Sequence, residues 1–136
     1  MVSKIIVACC LLAVAGCQST TVAENATQLT VEFDWQGISA CSSVSPEIRI
    51  ANVPAETRFV DIQMVDLDFR TFNHGGGTIA YSGHGIIEKG ALPTYAGPCP
   101  PGGITHRYEF TVHALNEDKT LILGHGKSSA TFPPVR

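Results

Sequence analysis

Leu29, Val31, Phe33 and Trp35 alternate with Thr30, Glu32 and Asp34. Such a strict period of two suits a strand with one buried face and one wet face. The same signal returns along the chain. Ile48 and Ile50 follow Pro46, and Phe59 to Val65 form a longer, mostly apolar run with polar breaks. Tyr108, Phe110, Val112 and Ala114 share one face, opposite Glu109, Thr111 and His113. Leu121-Ile122-Leu123 predicts a short late strand, and Ala130-Thr131-Phe132 predicts another. Glycine (13 residues) and proline (8 residues) punctuate these runs, and no long stretch free of them carries a helical-period apolar stripe. The expected class is all-β, a sandwich with one or two short helical turns.

The chain has 136 residues, enough for one domain with a sizeable core. It is 44% hydrophobic and 15% charged, which excludes a disordered chain. With 9 basic residues against 12 acidic ones it lacks the footprint of an electrostatic nucleic-acid binder.

The first segment reads as an address. Lys4 precedes an apolar run, Ile5 to Ala15, that is too short to span a bilayer. The run ends in Val14-Ala15-Gly16-Cys17, which resembles the lipobox of bacterial lipoproteins. That resemblance implies removal of residues 1–16, a diacylglycerol on the Cys17 thiol, and, because Gln18 rather than Asp follows, an outer-membrane destination facing the periplasm. An ordinary signal peptide with a nearby cut is the alternative. Residues 17–28 are rich in Ser, Thr and Ala and read as a flexible tether, Asn25-Ala26-Thr27 included. The folded domain is then expected over 29–136.

Cleavage would discard Cys9 and Cys10, and lipid would block Cys17, leaving Cys41 and Cys99. Beyond the inner membrane the compartment is oxidising, so two leftover cysteines are expected as a disulfide. Neither belongs to a C-x-x-C motif, so redox and zinc-knuckle readings have no support.

From Phe69 to Gly103 the alternation breaks down. This section holds Gly75-Gly76-Gly77, Gly83-His84-Gly85 and the run Tyr95-Ala96-Gly97-Pro98-Cys99-Pro100-Pro101-Gly102-Gly103. Irregular glycine- and proline-rich loops beside a rigid sandwich are where binding sites commonly lie. The last run continues into His106-Arg107-Tyr108 and then Phe110, Val112, Ala114 and Leu115. Together they resemble the signature of phosphatidylethanolamine-binding proteins, whose bacterial branch reads Y-x-G-P-C-P-P-x-G-x-x-H-R-Y-x-F-x-V-x-A-L. Upstream, Cys41 with Ser45-Pro46, then Val53-Pro54 to Thr57, is similar to further family elements. Met64-Val65-Asp66-Leu67-Asp68 stands where the family has its D-P-D-x-P loop. Some bacterial members carry cysteines at both positions matching Cys41 and Cys99.

The resemblance implies an antiparallel β-sandwich with a small anion-binding cavity at one end. Carried over residue by residue, the cavity takes Asp66, His74, His106 and Tyr108, with Gly97, Pro98, Pro100 and Pro101 as its rim. Imidazoles, a phenol and backbone N–H groups suit a phosphate or carboxylate, and an acidic partner can orient a histidine. Each residue also has a plain structural reading. Asp66 and Asp68 suit a turn after a strand, and His106 and Tyr108 alternate onto the same side as Phe110, where core residues belong. His84, His113 and His125 read as surface or loop positions.

The chain departs from the family pattern in four places. Leu67 and Arg70 replace the loop prolines, His74-Gly75 stands for the family's H-W pair, and the stretches before Tyr95 and before the final strand are trimmed. A more open, shallower or lost cavity is expected from these changes.

Functionally, the sequence points to a lipid-anchored envelope protein holding a small anion or phospholipid headgroup, attached to a membrane through its lipid, without cofactor and without nucleic acid. The alternative is a protein-partner role, as an inhibitor of a protease or signalling enzyme. A histidine metal protein using His74, His84 and His106 is a weaker third reading, because these spacings match no standard zinc motif. No nucleophile–base pair or G-x-S-x-G elbow is present, so no catalysis is expected.

Overall fold

Backbone pairing, rather than side-chain pattern, decides where this domain begins. The computed structural model describes residues 19–134. Strand β1, Thr21–Gln28, runs parallel to the last strand, β9, Leu121–Phe132. The flexible tether expected over 17–28 is therefore corrected: from Thr21 onward the chain is part of the sheet. Strand β1 lies at the sheet edge and most of its side chains are exposed, so no apolar alternation announces it. Cys17, its lipobox and the leader lie outside the described residues.

Between these strands come β2 (Thr30–Phe33), β3 (Ile48–Ala51), β4 (Phe59–Asp66), β5 (Asn73–Ala80), β6 (Ile86–Ile87), β7 (Thr94–Tyr95) and β8 (His106–Leu115). They form a six-stranded sheet in the order β1-β9-β8-β4-β5-β7 and a three-stranded sheet in the order β2-β3-β6. Apart from β1 with β9, every pairing is antiparallel. The all-β expectation holds, while the expected helical turns do not occur among the described residues.

Two glycine-rich segments expected to interrupt strands do not. Leu121 to Phe132 is one continuous strand, because Gly124 and Gly126 bring its backbone against Leu29 and Val31. A Cβ on Gly126 would stand 2.6 Å from the Leu29 carbonyl oxygen. Likewise β5 runs through Gly75-Gly76-Gly77. Gly76 has φ +143°, and a Cβ there would meet the Ile62 carbonyl oxygen at 1.9 Å. These glycines permit close strand approach rather than a loop.

The alternating faces read from the sequence meet in one core. Val31, Ile48, Ile50 and Ile87 of the small sheet are buried with Val60, Ile62, Met64, Phe110 and Val112 of the large one. Phe33 sits edge-on to Phe110 at 4.8 Å and to Trp35 at 5.0 Å, and Trp35 packs edge-on against Phe132 at 5.6 Å. Registers fix the direction of the whole: Asp66 faces Tyr108 and His106 faces Phe132, whereas Phe59 faces Leu115. The end of β4, the starts of β5 and β8 and the end of β9 thus share one end of the sandwich. The turn joining β8 to β9, Asn116–Thr120, lies at the other.

Candidate functional site

Asp66 closes β4 just where the strand must turn. Its Oδ1 accepts the backbone N–H groups of Asp68 (2.8 Å) and Phe69 (2.9 Å). The carboxylate fixes the turn that prolines would otherwise stiffen. Its Oδ2 lies 2.7 Å from His106 Nδ1, across the strand pair. Asp68 holds the same corner by accepting the Arg107 backbone N–H at 2.6 Å. One Asp66 oxygen holds the turn and the other meets His106.

Burial pushes the Asp66 carboxyl up, but the His106 hydrogen bond and the two backbone N–H groups outweigh it, leaving it below the usual carboxylate value. As an ionised acceptor it requires a proton on His106 Nδ1. His74, buried on β5, places its Nδ1 2.7 Å from the Ala96 carbonyl oxygen, which can only accept. Its proton is therefore on Nδ1 as well. In both rings Nε2 is left for a ligand, as a lone pair when neutral and as a donor when the ring is an imidazolium.

Tyr108, fully buried on β8, has a hydroxyl without a hydrogen-bond partner among the described residues. Burial, then the negative charge of Asp66, pushes its phenol up, so it stays a donor. Its ring stands edge-on to His74 at 5.3 Å. A buried hydroxyl without a partner costs about 1–3 kcal/mol.

These four side chains line one cavity of about 370 Å³, together with Phe69, Phe72, Cys99 and Pro101. The polar groups cluster at the strand ends, and the aromatic rings, the disulfide and proline form an apolar wall. Phe69 and Phe72 remain 56% and 48% exposed, and nearby Ile104 is 51% exposed. The sequence reading missed Phe69 and Phe72. Their available signal was two large aromatic residues in a turn otherwise rich in polar groups.

The rim expectation is corrected in part. Pro101 lines the cavity, but Gly97, Pro98 and Pro100 do not. Gly97 and Pro98 are buried, and Gly97 N–H donates to the Ser42 carbonyl (2.8 Å) while the Pro98 carbonyl accepts from Cys41 N–H (2.8 Å). The Cys41–Cys99 disulfide, with Cα atoms 4.5 Å apart, pins the same two segments together. This backbone ladder consumes the polar groups that a rim would have offered.

Not every histidine comes to the site. His84 is exposed and outside the cavity lining, and His113 and His125 face each other across β8 and β9, away from Tyr108 and Phe110. Among the described residues no three His, Cys, Asp or Glu side chains gather as metal ligands, so the His74, His84 and His106 set does not assemble.

A sequence model of the family described as phosphatidylethanolamine-binding protein matches residues 72–132, the part that carries β5 through β9. A crystal structure described as a phosphatidylethanolamine-binding protein homologue from Chlamydia trachomatis has a similar fold. Its TM-score is 0.51 at 18% identity, covering 82% of this chain and 99% of that one. No curated protein matches the chain.

Proposed function

From the match of residues 72–132 to the phosphatidylethanolamine-binding protein family and the similar fold, we propose that the cavity binds a small phosphate-like anion carrying an apolar portion. Family and fold suggest a binding protein. The observation that carries the finer reading is the ionised, buried Asp66 bound to His106 beside the partnerless Tyr108 hydroxyl, all in one cavity. With Asp66 accepting at Nδ1, a protonated His106 donates its Nε2–H, alongside the Tyr108 O–H, to an anion. Phe69 and Phe72 accept the ligand's apolar part. By its lipobox, the protein is anchored through Cys17 to the outer membrane and faces the periplasm.

Titrating phosphoethanolamine by calorimetry into the wild type and the His106→Ala variant tests this reading. His106→Ala removes a charge-assisted bond worth ~1.5–3 kcal/mol, a roughly ten- to hundredfold weaker Kd. Equal binding by wild type and His106→Ala rejects the anion site and leaves the protein-partner alternative.

A further inference from the structure

The two ends of the sandwich carry opposite duties. All the polar cavity residues sit at the end where β4 stops and β8 starts, and the exposed Phe69, Phe72 and Ile104 surround the same end. The N-terminal strand enters at the other end. Thr21 pairs with Leu121, its N–H donates to the Thr120 carbonyl at 2.9 Å, and Thr20 Oγ1 donates to the Lys119 carbonyl at 3.0 Å. The chain is therefore fastened to the turn between β8 and β9 from Thr20 onward.

Only Gln18 and Ser19 separate Cys17 from that fastening point. Fully extended, this connection reaches roughly 10 Å. Strand β9, which runs from the fastened end to the cavity end, has 12 residues and spans roughly 35–40 Å. If the cavity mouth faced the membrane that carries the Cys17 lipid, the Thr20 end would stand several times higher than the connection can reach.

Given the anchoring and anion readings above, on which this inference rests, the geometry points to a cavity that cannot take headgroups from its own membrane and that receives its anionic ligand from the opposite side. The docking of β1 converts the expected tether into a stand. The ligand is a phosphate-bearing amphiphile that is either free in solution or displayed by a facing surface, and the two sources share the same chemistry at His106 and Tyr108.

The test uses the full-length chain, expressed with its leader, purified from membranes and placed in phosphatidylcholine vesicles, with mass spectrometry first establishing the lipid on Cys17. Trp35, the single tryptophan, lies 6.0 Å from the Tyr108 ring and serves as energy-transfer donor. Phosphatidylethanolamine with a dansyl-labelled acyl chain is supplied either in the same vesicles or in separate ones, and soluble phosphoethanolamine is the competitor. The expected result is competable transfer from separate vesicles and none from the same vesicles. Inserting a flexible Gly/Ser linker of about 30 residues between Gln18 and Ser19 should restore transfer within the same vesicle. Competable transfer within the same vesicles at native spacing overturns the inference. A Cys17 without lipid overturns it through the anchoring reading, and no competable transfer in any arm overturns it through the anion reading.

Discussion

Asp66→Asn preserves shape and removes one negative charge. In the wild type Asp66 accepts three hydrogen bonds, from Asp68 N–H, Phe69 N–H and His106 Nδ1–H. Bonds to an ionised group contribute ~1.5–3 kcal/mol each, against ~0.5–1.5 kcal/mol between neutral groups. The asparagine oxygen keeps the two backbone donors at the weaker strength. Its amide N–H now meets His106 Nδ1, which must give up its proton and accept. Three bonds each weakened by ~1 kcal/mol set an upper limit near 3 kcal/mol, and because neighbouring bonds are not additive the expected loss is about 2 kcal/mol at neutral pH. The pH dependence has a definite sign. The folded Asp66 carboxyl lies below its usual value, so its contribution is complete above the unfolded pKa, about 3.9, and is lost as pH falls through the folded value. Urea unfolding followed by Trp35 emission at about pH 7, 5 and 3 measures the difference between the two proteins. The deficit of the variant should be steady from about pH 7 to 5 and shrink at about pH 3. A deficit that stays constant or grows in acid refutes the argument.

Phe72→Ala should weaken binding of an acyl-bearing phosphate while leaving free phosphate unchanged, because Phe72 belongs to the apolar wall; calorimetry with both ligands checks it. His113→Ala should leave either ligand unaffected, since His113 lies on the opposite face of β8. Reducing the Cys41–Cys99 disulfide, which closes a separation of 58 residues, should destabilise the domain by about 4 kcal/mol in the chain-entropy picture, read as a lower urea midpoint. Gly76→Ala should lower stability by roughly 3–5 kcal/mol in the same assay, since a Cβ would collide with the Ile62 carbonyl and φ is positive. Cys17→Ser should abolish any lipid-sized mass increment and release the protein from membranes; retention of both would refute the lipobox reading.

Side-chain alternation made Leu29–Trp35, Phe59–Val65 and Tyr108–Leu115 legible as strands, because each lays one face against the core and the other toward water. The spacing of Cys41, Cys99, His106 and Tyr108 also brought the family resemblance within reach of a single sequence. Strand β1 was not legible, because an edge strand held by backbone bonds buries too little to leave a pattern. Nor was the continuity of β5 and β9, whose glycines look like turns in the sequence and prove to be points of close strand approach. The sequence placed Asp66 and His106 as candidates, 40 residues apart. Only the antiparallel register of β4 and β8 set them 2.7 Å from one another, and only the turn after β4 brought Phe69 and Phe72 over the same cavity. Local periodicity follows from the burial of each segment by itself. Register and strand order depend on contacts between residues far apart in the chain, and these decide both the shape of the cavity and the end at which it opens.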